Sequence, residues 1–82
     1  MPEVSRFYGI IIKMFFSDHQ PPHFHVVYND FNAVFNIDTL EMIEGDLPSR
    51  ASSLVKEWAA LYQTELKNIW NTQDFTKLPG LK

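Results

Sequence analysis

The residues best suited to chemistry lie together in one short segment, residues 18–25. This segment reads Asp-His-Gln-Pro-Pro-His-Phe-His and contains all three histidines of the chain. Histidine titrates near neutral pH, and its neutral imidazole is a common metal ligand. A carboxylate with several histidines can therefore hold a cation or move a proton, and this segment is the first candidate for a functional site.

Metal binding is one chemistry that this segment could perform. In a β-strand, His23 and His25 point to the same face, about 6.6–6.8 Å apart. Two imidazoles at this spacing can converge on one ion, and Asp18 or His19 from the preceding loop would add a ligand. Zinc held by Asp18, His19, His23 and His25 is therefore one alternative. The other is that the histidines hydrogen-bond with the loop and neighbouring strands, and on that basis we predict no cofactor.

The same histidines suggest a second chemistry, the metal-independent cleavage of RNA. That reaction needs a general base, a general acid and a cation that stabilises the phosphorane. His23 or His25 would act as base or acid, with Lys13 as the nearest cation. However, seven basic and ten acidic residues leave a formal net charge of −3, which argues against a surface that follows phosphates. We expect nucleic acid to bind only as the substrate of such a ribonuclease.

Composition limits the class of protein. Of the 82 residues, 45% are apolar and none is cysteine, so neither a disulfide framework nor a thiolate zinc site can brace the chain. We expect one domain, stabilised by a dense apolar core, an oligomer or a partner. The apolar run over residues 7–16 is too short to span a membrane and Lys13 interrupts it, so a cytoplasmic protein is expected.

Residues 1–46 have the pattern of a β-sheet. The run over residues 7–16 predicts a central strand, with Phe7, Ile11 and Phe15 on one of its two faces. Alternation over residues 23–28 places Phe24 toward the core and Val27 outward with His23 and His25. Two further strands, over residues 31–37 and 41–44, complete a predicted four-stranded antiparallel meander.

Residues 47–71 have the pattern of one long helix, and residues 72–82 that of a tail. Apolar side chains recur about every 3.6 residues from Ala51 to Ile69. At about 1.5 Å per residue this helix is longer than the strands beneath it. Leu66, Ile69 and Trp70 at its far end would therefore need cover from the tail or from another chain. The predicted fold is α+β, with one long C-terminal helix packed on one face of the sheet.

This arrangement would leave apolar side chains uncovered on the second sheet face and at the helix end. Such patches mark protein–protein interfaces. We therefore expect a protein partner or a second copy of the chain. The predicted interface residues are Phe7, Ile11, Phe15, Val27, Leu66, Ile69 and Trp70.

Several stretches of the chain also carry a family resemblance. Residues 5–12, 18–25 and 44–48, followed by Arg50-Ala51 and Glu57-Trp58, resemble the bacterial domain of unknown function 4160 family. The resemblance covers nearly the whole chain. It implies a small bacterial protein whose gene pairs with one of the domain of unknown function 2442 family, in a toxin–antitoxin-like system. The first functional hypothesis is thus an interaction module of such a system, with a histidine-dependent ribonuclease toxin and a metal-binding module as alternatives.

Overall fold

The computed structural model describes residues 3–15 and 17–81. These residues form one antiparallel sheet in which each of five strands pairs with the next along the chain, and two helices follow it. The strands are β1 (Glu3–Phe7), β2 (Ile10–Lys13), β3 (His23–Tyr28), β4 (Phe31–Asn36) and β5 (Met42–Gly45). The helices are α1 (Ser49–Leu61) and α2 (Gln63–Thr72). The α+β class and the antiparallel meander agree with the sequence-based prediction.

The predicted central strand is two strands joined by a tight turn. Tyr8 and Gly9 have φ angles of 49° and 78°, and the chain reverses there so that Phe7 pairs with Ile10. Two successive positive φ angles match the twist of a β-hairpin, and glycine adopts them without a steric penalty. The prediction of four strands is therefore wrong, because the apolar run over residues 7–16 contains a turn at Gly9 and is not one continuous strand. Phe16, at the end of the predicted strand, lies outside the described residues.

The helices cover one face of this sheet. Ile10 and Ile12 from β2, Phe24 from β3 and Trp58 from α1 are fully buried in one apolar core. The Trp58 ring centroid lies 5.5 Å from that of Phe7 and 6.1 Å from that of Phe24. Aromatic rings at these separations pack with favourable geometry and bury a large area. The alternation read from the sequence over β2 and β3 is confirmed on this face.

The predicted long helix is interrupted at Tyr62. This residue has φ −117° and ψ 22°, outside the helical range, and it separates α1 from α2. The side-chain amide of Gln63 then donates to the carbonyl oxygens of Ile37 at 2.7 Å and Asp38 at 3.0 Å. These bonds hold α2 against the residues that follow β4. One unbroken helix was the wrong prediction, because the apolar period continues through a change of direction.

The tail closes the edge of the core beside β1. The backbone N–H of Leu78 donates to the carbonyl of Val4 at 2.8 Å, and the indole N–H of Trp58 donates to the carbonyl of Pro79 at 2.8 Å. Gly80 approaches Phe7 so closely that a Cβ atom there would lie 2.8 Å from the Phe7 Cβ. The tail therefore covers apolar residues for which the sequence pattern predicts no cover within the chain.

Four residues predicted to lie on open surfaces are buried within the chain itself. Phe7, Leu66, Ile69 and Trp70 have exposed fractions of 6%, 0%, 4% and 7%. The turn at Tyr8 and Gly9 places Phe7 on the helix-covered face, and the break at Tyr62 directs α2 toward the sheet. The expectation that they are accessible to a partner is therefore wrong. In the described part of the chain, neither helix is long and apolar enough to cross a membrane.

Candidate functional site

The candidate segment forms the loop after β2 and the first half of β3. Phe24 points into the core, so His23 and His25 on either side of it point to the opposite face, with ring centroids 5.1 Å apart. We call this the open face, because α1 packs on the other one through Trp58. The shared direction agrees with the strand alternation, but His23 is only 3% exposed. The Trp70 ring from α2 packs beside it at 5.1 Å and contributes to this burial.

Asp18 connects the two histidines. Its Oδ2 atom lies 2.9 Å from His23 Nε2 and 3.2 Å from His25 Nε2. Its Oδ1 atom accepts the backbone N–H of His19 at 3.0 Å. One ligand atom from each of Asp18, His23 and His25 lies within 4.8 Å of the others. The structure thus brings together three of the four residues predicted as metal ligands, which we call the histidine–aspartate cluster.

His23 faces hydrogen-bond acceptors on both ring nitrogens. Its Nδ1 lies 2.6 Å from the carbonyl oxygen of Pro21, which can only accept, so Nδ1 carries a hydrogen. In the neutral ring, Nε2 then has a lone pair, and this lone pair faces the carboxylate of Asp18. The conflict is relieved by a proton on Nε2, a proton on Asp18, or a cation between them.

A proton on Asp18 is the least favourable of these solutions. Burial acts to raise the pKa of Asp18, but hydrogen bonds from His25 and the backbone of His19, together with the charge of His23, outweigh it. The pKa of Asp18 is therefore held below its ordinary value. The carboxyl group is ionised near neutral pH, so its Oδ2 atom faces His23 Nε2 as a hydrogen-bond acceptor.

The fourth predicted ligand, His19, lies beside the cluster. Its side chain is 84% exposed, and its Nδ1 is 3.1 Å from Asp18 Oδ1, the oxygen that does not face the other two histidines. Lys13, the cation predicted for a ribonuclease, pairs directly with His25 across β2 and β3. Both histidines and Lys13 thus lie on one sheet face, while their catalytic role stays a prediction.

Three predicted interface residues also lie on the open face. Ile11 pairs with Val27 between β2 and β3, and both are half-buried. The Phe15 ring meets the His25 ring edge-on, with centroids 4.5 Å apart. These three side chains form an apolar strip beside the histidine–aspartate cluster.

Sequence reasoning missed Glu44 and the carbonyl group of Pro21. Glu44 pairs with Val34, which pairs with His25, so the three residues form one row across β5, β4 and β3. Glu44 also lines a cavity of about 140 Å³ together with both histidines of the cluster. No sequence signal shows this proximity, because it depends on the register of two strand pairs. The short loop from Asp18 to His23 was the one sequence feature indicating that a nearby backbone carbonyl could form a hydrogen bond with a histidine.

Comparison with curated proteins and with solved structures finds no match. A family model described as a domain of unknown function (DUF4160) matches residues 9–71. The matched range contains the histidine–aspartate cluster, Glu44, and the two helices up to the last turn of α2. Since the match covers well over half of the sequence, the chain belongs to the DUF4160 family.

Proposed function

We propose that the protein binds one divalent transition-metal ion through Asp18, His23 and His25. The observation that carries this proposal is the convergence of two imidazole nitrogens on one carboxylate oxygen, at 2.9 and 3.2 Å. Two imidazoles and one carboxylate form a donor set that suits Zn²⁺ and related ions. A cation at this point also relieves the conflict between the His23 lone pair and the Asp18 carboxylate.

The spacing of the ligand atoms is close to that of a metal centre. Ligands bound at about 2.0–2.2 Å in a tetrahedral arrangement lie roughly 3.3–3.5 Å from one another. The Asp18 oxygen lies 2.9 Å and 3.2 Å from the two nitrogens. All three ligand atoms lie within 4.8 Å of one another, so small shifts of these side chains would admit an ion.

The surroundings of His23 support this proposal. The Pro21 carbonyl holds Nδ1–H, which leaves Nε2 as the free ligand atom. Metal-binding histidines usually make such a bond with their second nitrogen, because it fixes both tautomer and ring direction. The Trp70 ring packs beside the imidazole. The ligand is thus oriented before an ion arrives, which lowers the entropic cost of binding.

Calorimetric titration of the purified protein with Zn²⁺ and Ni²⁺ tests the proposal. We expect about one ion per chain. Asp18→Asn preserves the size of the side chain and removes its charge, and His25→Gln removes one nitrogen ligand. Each should weaken binding by more than about tenfold, because loss of an outer-shell partner alone costs that much. Absence of binding heat in the wild type would overturn the proposal.

His19→Gln is the matched control, since His19 is an exposed histidine in the same loop. We expect it to bind both ions with wild-type affinity. Circular dichroism of every variant separates loss of a ligand from loss of folding. If Asp18→Asn, His25→Gln and His19→Gln lose affinity equally, the loop holds the ion in some other way than through Asp18, His23 and His25.

A second candidate function is protein–protein interaction through the open face, as a module of a two-gene toxin–antitoxin-like system. The apolar strip of Ile11, Phe15 and Val27 favours it, because these side chains are half-buried on the face opposite the helices. Ile11→Glu should abolish co-purification with the product of the adjacent gene and leave Zn²⁺ affinity unchanged. Asp18→Asn should do the reverse. Failure of the wild type to co-purify would remove this candidate.

A further inference from the structure

We infer that the metal centre keeps one coordination position open to solvent and hydrolyses a small uncharged ester or amide, with Glu44 as the base. This inference rests on the proposed metal binding and adds a reaction class and a substrate class to it. It depends on the number of ligands, a cavity beside them, and the position of Glu44 in the sheet.

The number of ligands is that of a catalytic centre. Within residues 3–15 and 17–81, one group of three His and Asp side chains converges, made of Asp18, His23 and His25. Structural zinc sites usually have four protein ligands, whereas catalytic sites have three and a water molecule. His19 Nδ1 lies 3.1 Å from the other oxygen of Asp18, and its ring, with its centroid 5.3 Å from that of His23, does not converge with the three ligand atoms. One position on the ion is therefore available to water.

A cavity of about 140 Å³ opens beside the two histidines. His19, Pro21, His23 and His25 form one part of its lining, and Val34, Ile43 and Glu44 form the other. An ion held by these histidines would meet water and small molecules from this cavity. The open coordination position thus has a route to solvent and a space in which a substrate can lie.

Glu44 lies where it can act on a metal-bound water. Residues that pair across a sheet point to the same face, and Val34 pairs with both His25 and Glu44. Strands lie about 4.8 Å apart, so the Cα atoms of His25 and Glu44 are roughly 10 Å apart. Two long side chains, an ion and a water molecule can span this separation. Among the described residues, the side chain of Glu44 has no hydrogen-bond or ion-pair partner, so its carboxylate can accept a proton.

The reaction follows from these groups. An ion held by Asp18, His23 and His25 would act as a Lewis acid on a water molecule. Glu44 would accept one proton from that water, and the water oxygen would form a bond with the substrate carbonyl carbon. When the tetrahedral intermediate collapses, the bond to the leaving oxygen or nitrogen breaks, and Glu44 returns the proton to that atom. The products are a carboxylic acid and an alcohol or amine. No electrons are exchanged with another reactant.

Charge and size select the substrate class. Asp18 and Glu44 are acidic, and the chain has a formal net charge of −3, so phosphate esters are disfavoured. Val34 and Ile43 supply an apolar wall to the cavity. Pockets for drug-sized ligands measure about 300–1,000 Å³. The smaller cavity here accepts a short acyl group, or the end of a longer molecule.

Two measurements on the full chain test this inference. Azide added to the Co²⁺-loaded protein should change its visible absorption spectrum, because azide takes the open position. The Zn²⁺-loaded protein should hydrolyse p-nitrophenyl acetate faster than the same protein treated with a chelator. Glu44→Gln should lower kcat by about 10²–10⁴-fold, the range for loss of a general base. Its Zn²⁺ affinity should not change. Glu41→Gln, the same change at another exposed acid, is the control and should retain full activity.

Each other outcome has a defined meaning. A Co²⁺ spectrum that azide leaves unchanged would show a closed centre and overturn the inference, while metal binding would stand. Loss of Zn²⁺ affinity in Glu44→Gln would make Glu44 a ligand and overturn its role as base. Hydrolysis no faster than that of the chelated protein would overturn the reaction class. A wild type that binds no ion would instead overturn the proposed function itself.

Discussion

Trp58 of α1 and His23 at the open face are both buried aromatic rings with nitrogen atoms. They differ in how their hydrogen bonds are satisfied. Trp58 has one N–H group, and it donates to the carbonyl of Pro79 at 2.8 Å. His23 has two nitrogens, and both face acceptors, on Pro21 and on Asp18. Trp58 therefore matches one donor with one acceptor, whereas His23 has an acceptor at each of its two nitrogens.

This difference separates a region that stabilises the fold from a region that is suited to chemistry. Around Trp58 the contacts are apolar, and the protein loses stability in proportion to the volume removed. Around His23, two acceptor atoms face one ring, and an added cation would relieve the repulsion between Nε2 and the Asp18 carboxylate. Buried polar groups with unmatched partners are costly unless something else completes them. The predictions below therefore compare changes of stability in the two regions, from the largest to the smallest.

The largest effect is expected from Trp58→Ala. Loss of a fully buried indole should lower the free energy of unfolding by about 3–5 kcal/mol, measured by urea denaturation with circular dichroism. If this variant does not fold, Trp58→Phe keeps most of the packing and leaves the Pro79 carbonyl without its donor, at a cost of about 1–3 kcal/mol. A loss below about 1 kcal/mol in Trp58→Ala would show that this region is not the stabilising core.

The second effect acts at the histidine–aspartate cluster and has the opposite sign. Free Zn²⁺ at one hundred times its Kd should raise the free energy of unfolding of the wild type by about 2.7 kcal/mol, because the ion binds the folded chain. A chelator should reverse the gain. Asp18→Asn should show no gain under the same conditions. An equal gain in both proteins would place the ion elsewhere in the chain.

Gln63→Ala tests the link between the two regions. It removes the bonds to the carbonyls of Ile37 and Asp38, which should cost about 1 kcal/mol. Because these bonds hold the start of α2, amide hydrogen exchange should become faster in α2 than in α1. Thr64→Ala, a neighbouring exposed change, is the control. Exchange that rises equally in both helices would show that Gln63 does not hold α2 separately.

The smallest effect is expected from His19→Gln, compared with His23→Gln in the absence of metal. His19 is exposed, so its replacement should change the free energy of unfolding by less than about 0.5 kcal/mol. His23 is buried and hydrogen-bonded, so the same replacement should cost about 1–3 kcal/mol. Equal costs, measured by urea denaturation, would show that burial does not distinguish the two histidines.

Local patterns were sufficient for part of the fold. Side chains alternate along a strand, so the sequence predicts that Phe24 lies in the core, and this residue is fully buried. The same patterns did not show where the chain turns. The apolar run over residues 7–16 conceals a hairpin at Gly9, and the helical period continues through the break at Tyr62. Because the turn and the break were missed, buried residues were predicted to lie on the surface.

The sequence by itself determined which residue types are available at the site and which side of β3 carries His23 and His25. Side-chain direction along a strand is a local property, so the alternation over residues 23–28 was enough. The sequence also placed Asp18 close to both rings along the chain.

Only the tertiary structure decided how these groups meet. The burial of His23 depends on Trp70, which approaches because the chain bends at Tyr62. The position of Glu44 depends on the pairing of β3 with β4 and of β4 with β5. These contacts join residues far apart in the chain, and a pattern of neighbouring residues does not contain their register. The histidines and their local acceptors lie in one short segment of the sequence, whereas the burial of His23 and the position of Glu44 arise from packing.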